Sequence, residues 1–292
     1  MPELPEVETT VNGLKKEILG RKIEDVWTDV EKMVKNPCTF NAFKKELIGR
    51  KIIKVWRRAK NILIDLSRGK TMLVHQKMTG HFLLGNWIFR EGNWTPKTKN
   101  SLLADPANRF LHLIFWLDNG KMLALSDLRK FAKVELWDKS VLLDSEKFKS
   151  LGPEPLDKAF TFEKFKECVG KKKSKIKKVL MDQEVLAGVG NIYSDEILWR
   201  AEVHPLKEVP RLKESELEKI YLMLIKTLKE SINLKGESIS DFRTVTGEKG
   251  SFDILRKVYR REGERCFRCG SILKRIKLGS RSSYFCPKCQ KI

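Results

Sequence analysis

The 292-residue chain is strongly basic, with 59 lysines and arginines against 38 acidic residues and a formal net charge of +21. Such a charge suits a polyanion, and nucleic acid is the foremost candidate, although a solvated lysine-rich surface or a basic face for anionic lipid would have a similar composition. No apolar run is long enough to span a bilayer and the first residues lack the layout of a signal peptide, so we expect a cytoplasmic protein with no membrane partner. The length predicts two domains.

The chain opens with a distinctive segment, residues 1–8, that holds two prolines and three glutamates. If the first methionine is removed, Pro2 carries a free secondary amine, and a terminal amine has a pKa of about 8, well below that of lysine. Such an amine is a candidate nucleophile, and Glu3 and Glu6 are available to move protons. The alternative is a helix start, in which Pro5 occupies a first helical position and the glutamates favour the helix dipole. Both interpretations stay open on this segment alone.

Periodic patterns predict antiparallel β layers with one or two helices in the first half of the chain. Apolar residues from Val7 to Leu19 recur at helical spacing up to Gly20, and residues 17–27 are echoed by residues 46–56 as a second helix–glycine–strand unit. Further strands are predicted at residues 61–66, 71–75, 82–87, 110–117, 122–126 and 132–137, with a hairpin turn at residues 118–120. Residues 89–108 are predicted to be a polar surface loop.

The composition changes near residues 143–155, where Gly152-Pro153-Glu154-Pro155 indicates a domain boundary. Helical patterns then occur at residues 162–169, 174–182, 192–200 and 214–233. Residues 234–250 are rich in glycine, serine, threonine and charge, and this composition predicts a mobile loop.

Four of the six cysteines form two CxxC pairs near the end of the chain, Cys266 with Cys269 and Cys286 with Cys289, separated by sixteen residues. Each pair can place two thiolates on one ion, and two pairs complete a tetrahedral set, so the spacing predicts one structural zinc ion. Because cysteine would fill all four positions, no position remains for a catalytic water.

A lysine-rich run, residues 171–178, leads towards a glycine turn at Gly188 and Gly190. The backbone N–H groups of a helix that starts after such a turn can face an anion, and Asn191 lies where it can cap that helix or touch phosphate. A lysine run by itself is usually a solvated face, but beside this turn it favours a clamp for a nucleic-acid backbone.

Together these motifs resemble the formamidopyrimidine-DNA glycosylases, a family of bifunctional base-excision repair enzymes. The resemblance is carried by residues 2–9, 58–60, 182–193 and 281–290, which look like the family's opening signature, lysine region, helix-two-turn-helix and zinc-finger tip in that order. It implies an α+β fold of two domains, with an N-terminal β-sandwich with flanking helices and a C-terminal helical domain that carries a zinc-finger β-hairpin.

The domain limits predicted on this basis cover the whole chain. They are 1–143 for the catalytic β-sandwich, 144–156 for a linker, 157–250 for the helix-two-turn-helix domain with the lesion loop, and 251–292 for the zinc finger. Residues 246–252 correspond to the family's lesion-capping loop. Two departures from the family pattern are Lys77, where a small residue is usual, and the insertion at 89–108.

The resemblance also implies a role for each matched residue. Pro2 would attack C1′ of the damaged nucleoside, Glu3 would serve in acid–base steps and Glu6 would support the site. Lys60 would complete this catalytic set by contacting phosphates near the lesion. The residues implied to contact DNA are His75, the void-filling Met78, Arg129 and Phe131, and the phosphate-binding Lys177, Asn191 and Arg281. The structural alternatives are that Met78 and Phe131 are core residues, that Lys60 and Lys177 are solvated, and that Arg129 pairs with Asp127.

The implied activity is the excision of oxidised purines, chiefly 8-oxoguanine and formamidopyrimidines, through a Schiff base at Pro2, followed by β,δ-elimination that cuts the strand. The alternatives are the same chemistry on oxidised pyrimidines, or a non-catalytic zinc-ribbon protein that binds nucleic acid. The expected partner is damaged double-stranded DNA. No nucleotide cofactor is required, and the protein is expected to act as a monomer at the nucleoid.

Overall fold

The computed structural model describes residues 1–98, 101–239 and 241–292, and these divide into two compact units. The N-terminal unit comprises Met1–Lys149 and Leu234–Ser251, and the C-terminal unit comprises Ser150–Asn233 and Phe252–Ile292. Both units contain helices and strands. The predicted α+β class with two domains is therefore confirmed.

Helix α1 (Leu4–Ile18) forms because its apolar residues share one face and both of its ends suit a helix. Pro5 lies in the first turn, where no N–H is needed, and Lys15 and Lys16 favour the negative end of the helix dipole. The fully buried apolar face consists of Leu4, Val7, Val11, Leu14 and Ile18. This face anchors the residues that precede the helix, so it fixes the start of the chain.

The internal repeat places two glycine turns side by side. Gly20 and Gly49 both have a left-handed φ of +79°, which glycine adopts without steric cost. The N–H of Gly20 donates to the carbonyl of Ile52 at 2.9 Å, and the N–H of Gly49 donates to the carbonyl of Ile23 at 2.7 Å. Each glycine turn is therefore hydrogen-bonded to the strand of the other copy of the repeat. These reciprocal bonds explain in physical terms why the two copies are similar.

Sheets form the body of the N-terminal unit. Its strands are β1 (Ile23–Thr28), β2 (Val34–Asn36), β3 (Ile52–Arg58), β4 (Asn61–Leu66), β5 (Lys70–His75), β6 (His81–Gly85), β7 (Trp87–Arg90), β8 (Asn93–Pro96), β9 (Leu111–Leu117), β10 (Met122–Ser126) and β11 (Lys133–Asp138). Its other helices are α2 (Phe40–Leu47), α3 (Lys139–Asp144) and α4 (Glu146–Lys149).

One sheet has the strand order β1-β9-β10-β6, and another has the order β2-β11-β5-β4-β3. Neighbouring strands in both sheets are antiparallel except for β2 and β11, which are parallel. Side chains from both sheets, such as Phe115 of β9 and Val74 of β5, join Val11 of α1 in one buried cluster. This shared core is the β-sandwich with flanking helices that was predicted.

The insertion at residues 89–108 differs from the predicted surface loop, because it contains regular structure. Strands β7 and β8 pair as a hairpin in which Phe89 lies opposite Trp94. The Trp94 ring packs edge-on against Trp27 of β1, with ring centroids 5.2 Å apart. The segment is polar in composition, but a few aromatic rings bury enough area to hold it on the sheet.

The segment Leu234–Ser251 also differs from its prediction, because the structure groups it with the N-terminal unit and not with the preceding helical domain. The N–H of Leu84 donates to the carbonyl of Val245 at 2.8 Å, and Val245 belongs to the sandwich core. Phe242 is buried as well. Although the composition predicts a mobile loop, these contacts pack the segment against β6 and α1.

The C-terminal unit contains the helices α5 (Phe162–Gly170), α6 (Ile176–Met181), α7 (Asn191–Arg200) and α8 (Glu214–Asn233) and the hairpin of β12 (Lys274–Leu278) and β13 (Arg281–Phe285). The hydroxyl groups of Tyr193 and Ser231 are 2.6 Å apart, which joins α7 to α8. The predicted helices agree with the observed ones to within a few residues. Across the parts of the chain that the structure describes, no helix combines the length and apolar character needed to cross a membrane.

Candidate catalytic site and nucleic-acid interface

The first residues of the chain lie in the interior of the N-terminal unit. Pro2 is buried and Glu3 is 3% exposed, directly before α1. One carboxylate oxygen of Glu6 accepts the N–H of Glu3 at 2.8 Å, and the other accepts the N–H of Glu237 at 2.8 Å. Glu6 therefore ties the start of the chain to the segment Leu234–Ser251, in addition to supporting the helix start.

The N-terminal amine has a lowered pKa, mainly because burial disfavours its charged form. The charge of Lys60 acts in the same direction, while the carboxylates of Glu3 and Glu6 oppose it. Here the amine belongs to Met1, so it stands in for the amine that Pro2 would carry after removal of Met1. A lowered pKa favours the uncharged form of an amine, and attack on an electrophilic carbon requires the lone pair of that form.

Lys60 lies in the tight turn that joins β3 to β4. Ala59 has a left-handed φ of +52°, and the guanidinium of Arg57 donates to the Ala59 carbonyl at 3.0 Å. Arg57 also pairs with Glu8 of α1 at 2.8 Å. Lys60 is only 7% exposed. The alternative that Lys60 is a solvated surface lysine is therefore wrong. Lys60 thus lies close enough to the N-terminus for its charge to act on the same terminal amine as the charges of Glu3 and Glu6.

Met78 and Phe131 are exposed apolar side chains at the tips of separate loops. Their exposed fractions are 42% and 52%, so neither belongs to the core. Each follows a lysine with a left-handed backbone, Lys77 with a φ of +55° and Lys130 with a φ of +57°. This conformation is uncommon for a residue other than glycine and turns the chain sharply. Both loops therefore project the next side chain outward, and the guanidinium of Arg129 lies 4.7 Å from the Phe131 ring centroid.

The fully buried carboxylate of Asp127 joins the two loops. One of its oxygens accepts the hydroxyl of Thr79, while the other accepts the N–H groups of Phe131 and Ala132, both at 2.7 Å. The N–H of Arg129 donates to the Thr79 hydroxyl at 3.1 Å. Because a desolvated carboxylate must be hydrogen-bonded, these donors hold both tips in one arrangement. The sequence had suggested Asp127 only as an ion-pair partner for Arg129.

His75, at the end of β5, is a neutral hydrogen-bond acceptor. Its Nδ1 accepts the N–H of Lys77 at 3.0 Å. Burial, followed by the positive charges of Lys77 and Lys60, lowers the pKa of His75 to about 3. The ring is therefore uncharged at neutral pH and supports the turn that presents Met78. A direct contact between His75 and DNA stays a prediction.

A cavity of about 440 Å³ brings the N-terminus and the loop tips together. It is lined by Met1, Met78, Phe131, Ala132 and the lysines Lys32, Lys35, Lys77, Lys130 and Lys133. Lysines attract phosphate, and apolar side chains can fill the space left by an unstacked base. This combination suits a nucleic acid better than a small neutral ligand.

In the C-terminal unit, the side chain of Gln183 shapes the glycine turn. Its nitrogen donates to the carbonyl of Val189 at 2.8 Å, and its oxygen accepts the N–H of Gly188 at 2.9 Å. Gly188 has a φ of +88°, which glycine tolerates. The turn leads the chain into α7, whose first residue is Asn191. The structure thus places Asn191 at a helix N-terminus, where anions are bound favourably.

Lys177 lies in the interior, which corrects the prediction that it grips phosphate. Its ammonium and the carboxylate of Asp195 are both fully buried and 2.6 Å apart. Asp195 also accepts the hydroxyl of Ser283 at 2.7 Å and the N–H of Tyr284 at 3.1 Å. Burial raises the pKa of Asp195 to about 6, although Lys177 opposes this change. Because a buried ammonium needs an anionic partner, Lys177 joins α6 to α7 and β13 and does not face solvent.

The four predicted metal ligands converge at the zinc-finger hairpin. The Sγ atoms of Cys266, Cys269, Cys286 and Cys289 all lie within 4.8 Å of one another. The Cys269–Cys286 and Cys266–Cys289 sulfur separations are 3.4 and 4.0 Å. A tetrahedral zinc site with bonds of about 2.3 Å has sulfur–sulfur edges of about 3.8 Å. The thiols present therefore fit a zinc ion.

Arg281 is the first residue of β13, and it is exposed. Two residues later, Ser283 is fully buried and bonded to Asp195. The strand is thus anchored at Ser283, while Arg281, at the exposed beginning of the same strand, stays accessible to a phosphate.

Family models match three successive parts of the chain. The formamidopyrimidine-DNA glycosylase N-terminal domain matches residues 1–134, the formamidopyrimidine-DNA glycosylase H2TH domain matches residues 151–243, and a zinc finger found in FPG and IleRS matches residues 263–292. These matches follow the order of the motifs in the sequence.

Curated relatives and solved structures agree over the full length. The formamidopyrimidine-DNA glycosylases of Pelotomaculum thermopropionicum and Streptococcus mutans are each 38% identical to this chain, with 100% of both chains covered. A complex of Lactococcus lactis Fpg with DNA containing an abasic site has a TM-score of 0.86 at 33% identity, covering 99% of this chain and 100% of that one. A complex of the Lactococcus lactis protein with Fapy-dG-containing DNA has a TM-score of 0.85 at 33% identity, with the same coverage.

Proposed function

The chain belongs to the formamidopyrimidine-DNA glycosylase family, and we propose from this premise which lesions it removes and which residues do so. It is a base-excision repair DNA glycosylase and AP lyase. Its substrates are oxidised purines in duplex DNA, chiefly 8-oxoguanine and formamidopyrimidines. The solved relatives hold DNA with an abasic site or with Fapy-dG, which supports this substrate class.

The observation that carries the assignment of residues is the environment of the N-terminus. A buried amine lies under the influence of Glu3, Glu6 and Lys60, and Glu6 holds the segment around it through both of its oxygens. A capping role alone accounts for the bond between Glu3 and Glu6, but not for the bond from the Glu237 N–H to Glu6 or for the burial of the terminal amine beside these groups. This environment therefore favours catalysis at the N-terminus.

The proposed nucleophile is the secondary amine of Pro2, which is free after removal of Met1. Its lone pair forms a bond to C1′ as the bond between C1′ and the base breaks, and the base leaves with that electron pair and takes up a proton. The Pro2 nitrogen loses its own proton, and Glu3 protonates the ring oxygen as the bond between C1′ and that oxygen opens to an iminium. The iminium acidifies the C2′–H bond. Loss of that proton expels the 3′ phosphate, a second elimination expels the 5′ phosphate, and water then hydrolyses the iminium to release Pro2.

The loop tips supply the step that precedes this chemistry. A base within a duplex must be rotated out of the stack, at a cost of a few kcal/mol. Met78, Arg129 and Phe131 would fill the space that the base leaves, and Asn191 and Arg281 would bind the flanking phosphates. The net charge of +21 supports strong, salt-dependent binding to DNA.

We further propose that the cysteine set holds one zinc ion with a purely structural role, since all four positions are thiols. The protein would act as a monomer, because every proposed contact comes from a single chain. Its substrate implies work at the cytoplasmic nucleoid, and no step of the chemistry uses a nucleotide cofactor.

Borohydride trapping tests the nucleophile. The protein is incubated with duplex containing 8-oxoguanine opposite cytosine, in parallel with duplex containing thymine glycol and with undamaged duplex, and borohydride is added. We expect a covalent complex with the 8-oxoguanine duplex, a weaker one with thymine glycol, and an intact mass that lacks Met1. Pro2→Gly should trap poorly while it still binds duplex with an abasic-site analogue, which shows that it is folded.

Three results would contradict the proposal. They are no complex from the natural protein, an undiminished complex from Pro2→Gly, and active protein that retains Met1. Preferential trapping by thymine glycol would assign the same chemistry to oxidised pyrimidines.

A further inference from the structure

The insertion at residues 89–108 has no part in the chemistry above, yet it is packed against the sheets of the N-terminal unit. Trp94 contacts Trp27 of β1 and Trp116 of β9, with ring centroids 5.2 and 6.0 Å away. Leu103 belongs to the same apolar cluster on this face of the sheet. The described residues of the insertion, 89–98 and 101–108, therefore form a platform on the outer face of the sandwich.

From this platform Asp105 reaches the segment Leu234–Ser251. Nη2 of Arg243 donates to both carboxylate oxygens of Asp105, at 3.3 and 3.2 Å, and Nε donates to one of them at 3.4 Å. The side chain of Arg243 is 5% exposed and that of Asp105 is 27% exposed. Asp105 also accepts the N–H of Ala107 at 2.8 Å, which fixes the carboxylate in place. An ion pair this shielded from water is stronger than a surface pair, and breaking it removes the Asp105 carboxylate from the buried guanidinium, which keeps its bond to the Phe242 carbonyl at 2.9 Å.

A second contact lies nearby and depends on a glycine. Gly247 has a φ of +89°, and a Cβ atom there would lie 2.8 Å from the carbonyl oxygen of Leu102 and 3.0 Å from the side-chain nitrogen of Asn108. Asn108 is itself held, because its amide nitrogen donates to Leu102 at 2.9 Å and its oxygen lies 3.0 Å from a ring nitrogen of His81. The segment thus rests directly on the insertion.

The other end of the segment rests on Glu6. The N–H of Glu237 donates to Glu6, and a Cβ atom on Gly236 would lie 2.8 Å from a Glu6 carboxylate oxygen. Between these ends, Val245 is bonded to β6 and packed in the core. The segment therefore connects the insertion at one end to the proposed catalytic carboxylate at the other.

We propose that the insertion braces this segment, and that Asp105 and Arg243 are positioning residues that hold Glu6 through it. Neither residue touches the reacting atoms. The brace fixes the far end of the segment, so that the N–H of Glu237 stays directed at Glu6 while DNA is bound. This inference rests on the proposed role of the N-terminal site.

The test uses the full chain and a double-mutant cycle on the ion pair. Asp105→Asn keeps an oxygen for the Ala107 N–H but removes the charge, and Arg243→Gln removes the guanidinium. The double variant and the exchanged pair Asp105→Arg with Arg243→Asp complete the set. Arg90→Gln is the matched control, because Arg90 is an exposed arginine of the same insertion, at the end of β7.

Three quantities are measured for each variant: the single-turnover rate of 8-oxoguanine excision, the Kd for duplex with an abasic-site analogue, and the hydrogen exchange of peptides that cover Glu237. We expect each single variant to slow excision roughly tenfold and to raise exchange at Glu237, with Kd changed less than about twofold. The double variant should be no slower than the worse single variant, and the exchanged pair should recover part of the rate. Arg90→Gln should match the natural protein.

The inference is overturned if the single variants excise within about twofold of the natural rate, or if their losses multiply in the double variant. It is also overturned if exchange at Glu237 does not change, since the loss would then not pass through this segment. An inactive natural protein would instead count against the proposed function itself, so the two failures are distinguishable.

Discussion

Each unit holds the side chains that are proposed to contact DNA through a buried aspartate, but the two units do so in different ways. In the N-terminal unit, Asp127 accepts the neutral donors Thr79, Phe131 and Ala132. In the C-terminal unit, Asp195 accepts the Lys177 ammonium together with neutral donors. The Asp127 carboxylate fixes the conformation of two loops of the sandwich. The Asp195 carboxylate joins separate helices and a hairpin through an ion pair.

The difference follows from the apolar core available in each place. The sandwich core collects residues from α1, α2 and both sheets, so Asp127 has only to select a loop conformation. The cluster around the hairpin consists of Trp199, Val258, Leu273 and Tyr284 together with the cysteines. A hairpin with so few apolar residues depends on strong specific bonds, which are the buried ion pair and, with the proposed zinc ion bound, metal–thiolate bonds.

The largest expected effect comes from the metal ligands. In Cys286→Ser we expect loss of bound zinc and at least roughly tenfold weaker DNA binding, because the hairpin that carries Arg281 loses its folding energy. Zinc content and the Kd for duplex with an abasic-site analogue are the measurements. Cys38→Ser, at an exposed thiol of the other unit, is the control. Unchanged zinc in Cys286→Ser would refute the ligand assignment.

The ion pair of the C-terminal unit should be the next most sensitive feature. Asp195→Ala leaves the Lys177 ammonium buried without this partner, and breaking such a pair costs about 3–5 kcal/mol of unfolding free energy. The loss of unfolding free energy is measured by urea denaturation, with hydrogen exchange of residues 176–200 as the readout. Lys177→Met combined with Asp195→Leu should restore much of the stability, because it removes both charges. A double variant as unstable as Asp195→Ala would show that the charge is not the cause.

A smaller effect is expected at the neutral network of the N-terminal unit. Asp127→Asn offers one acceptor oxygen where two are used, so it should cost about 1–3 kcal/mol. We expect slower excision of 8-oxoguanine with little change in trapping on a preformed abasic site, which has no base to be flipped. Thr79→Val should add little to Asp127→Asn, since both act on the same loops. Equal losses on both substrates would argue against a role in holding the loop tips.

The smallest expected effect is on the pH dependence of stability, which has opposite signs for His75 in the N-terminal unit and Asp195 in the C-terminal unit. In the unfolded state, His75 binds a proton as the pH falls below its ordinary pKa of 6.5. In the folded state it binds a proton only near pH 3. The free energy of unfolding therefore decreases as the pH falls through 6.5. Asp195 has the opposite sign. Its pKa rises from 3.8 to about 6 on folding, so its contribution to stability is lost as the pH rises from about 4 to 6.

Denaturation curves between pH 4 and pH 7 of the natural protein, His75→Gln and Asp195→Asn measure this contrast. Stability should rise less steeply with pH in His75→Gln and more steeply in Asp195→Asn. Identical slopes in all three proteins would contradict both assignments.

Local patterns account for the elements that were predicted well. The apolar spacing of α1, the short apolar runs of β4 and β10 and the two CxxC pairs are signals that involve only neighbouring residues. The sequence also contained an unused signal for Asp195. Ile192, Leu198 and Trp199 lie three or four residues away on the same helix, which indicates a buried face around that carboxylate.

Long-range contacts account for the elements that were predicted poorly. The local sequence around Lys177 predicts a solvated or phosphate-binding lysine. In the structure, α7 and β13 cover this side chain and bury it. The composition of the insertion predicts a polar loop, but the contact between Trp94 and Trp27 holds it on the sheet. The composition of the segment Leu234–Ser251 predicts a mobile part of the helical domain, but Val245 packs in the sandwich core. Each of these partners is distant in sequence.

The sequence by itself determined the fold class, the zinc ligands, the family resemblance and the candidate amine at Pro2, because short motifs and periodicity specify all of them. Tertiary structure alone decided that Glu6 bonds to Glu237, that Asp127 joins two loops and that Lys177 is buried. The physical reason is that burial and partner choice depend on which distant surfaces meet. No local pattern contains that information.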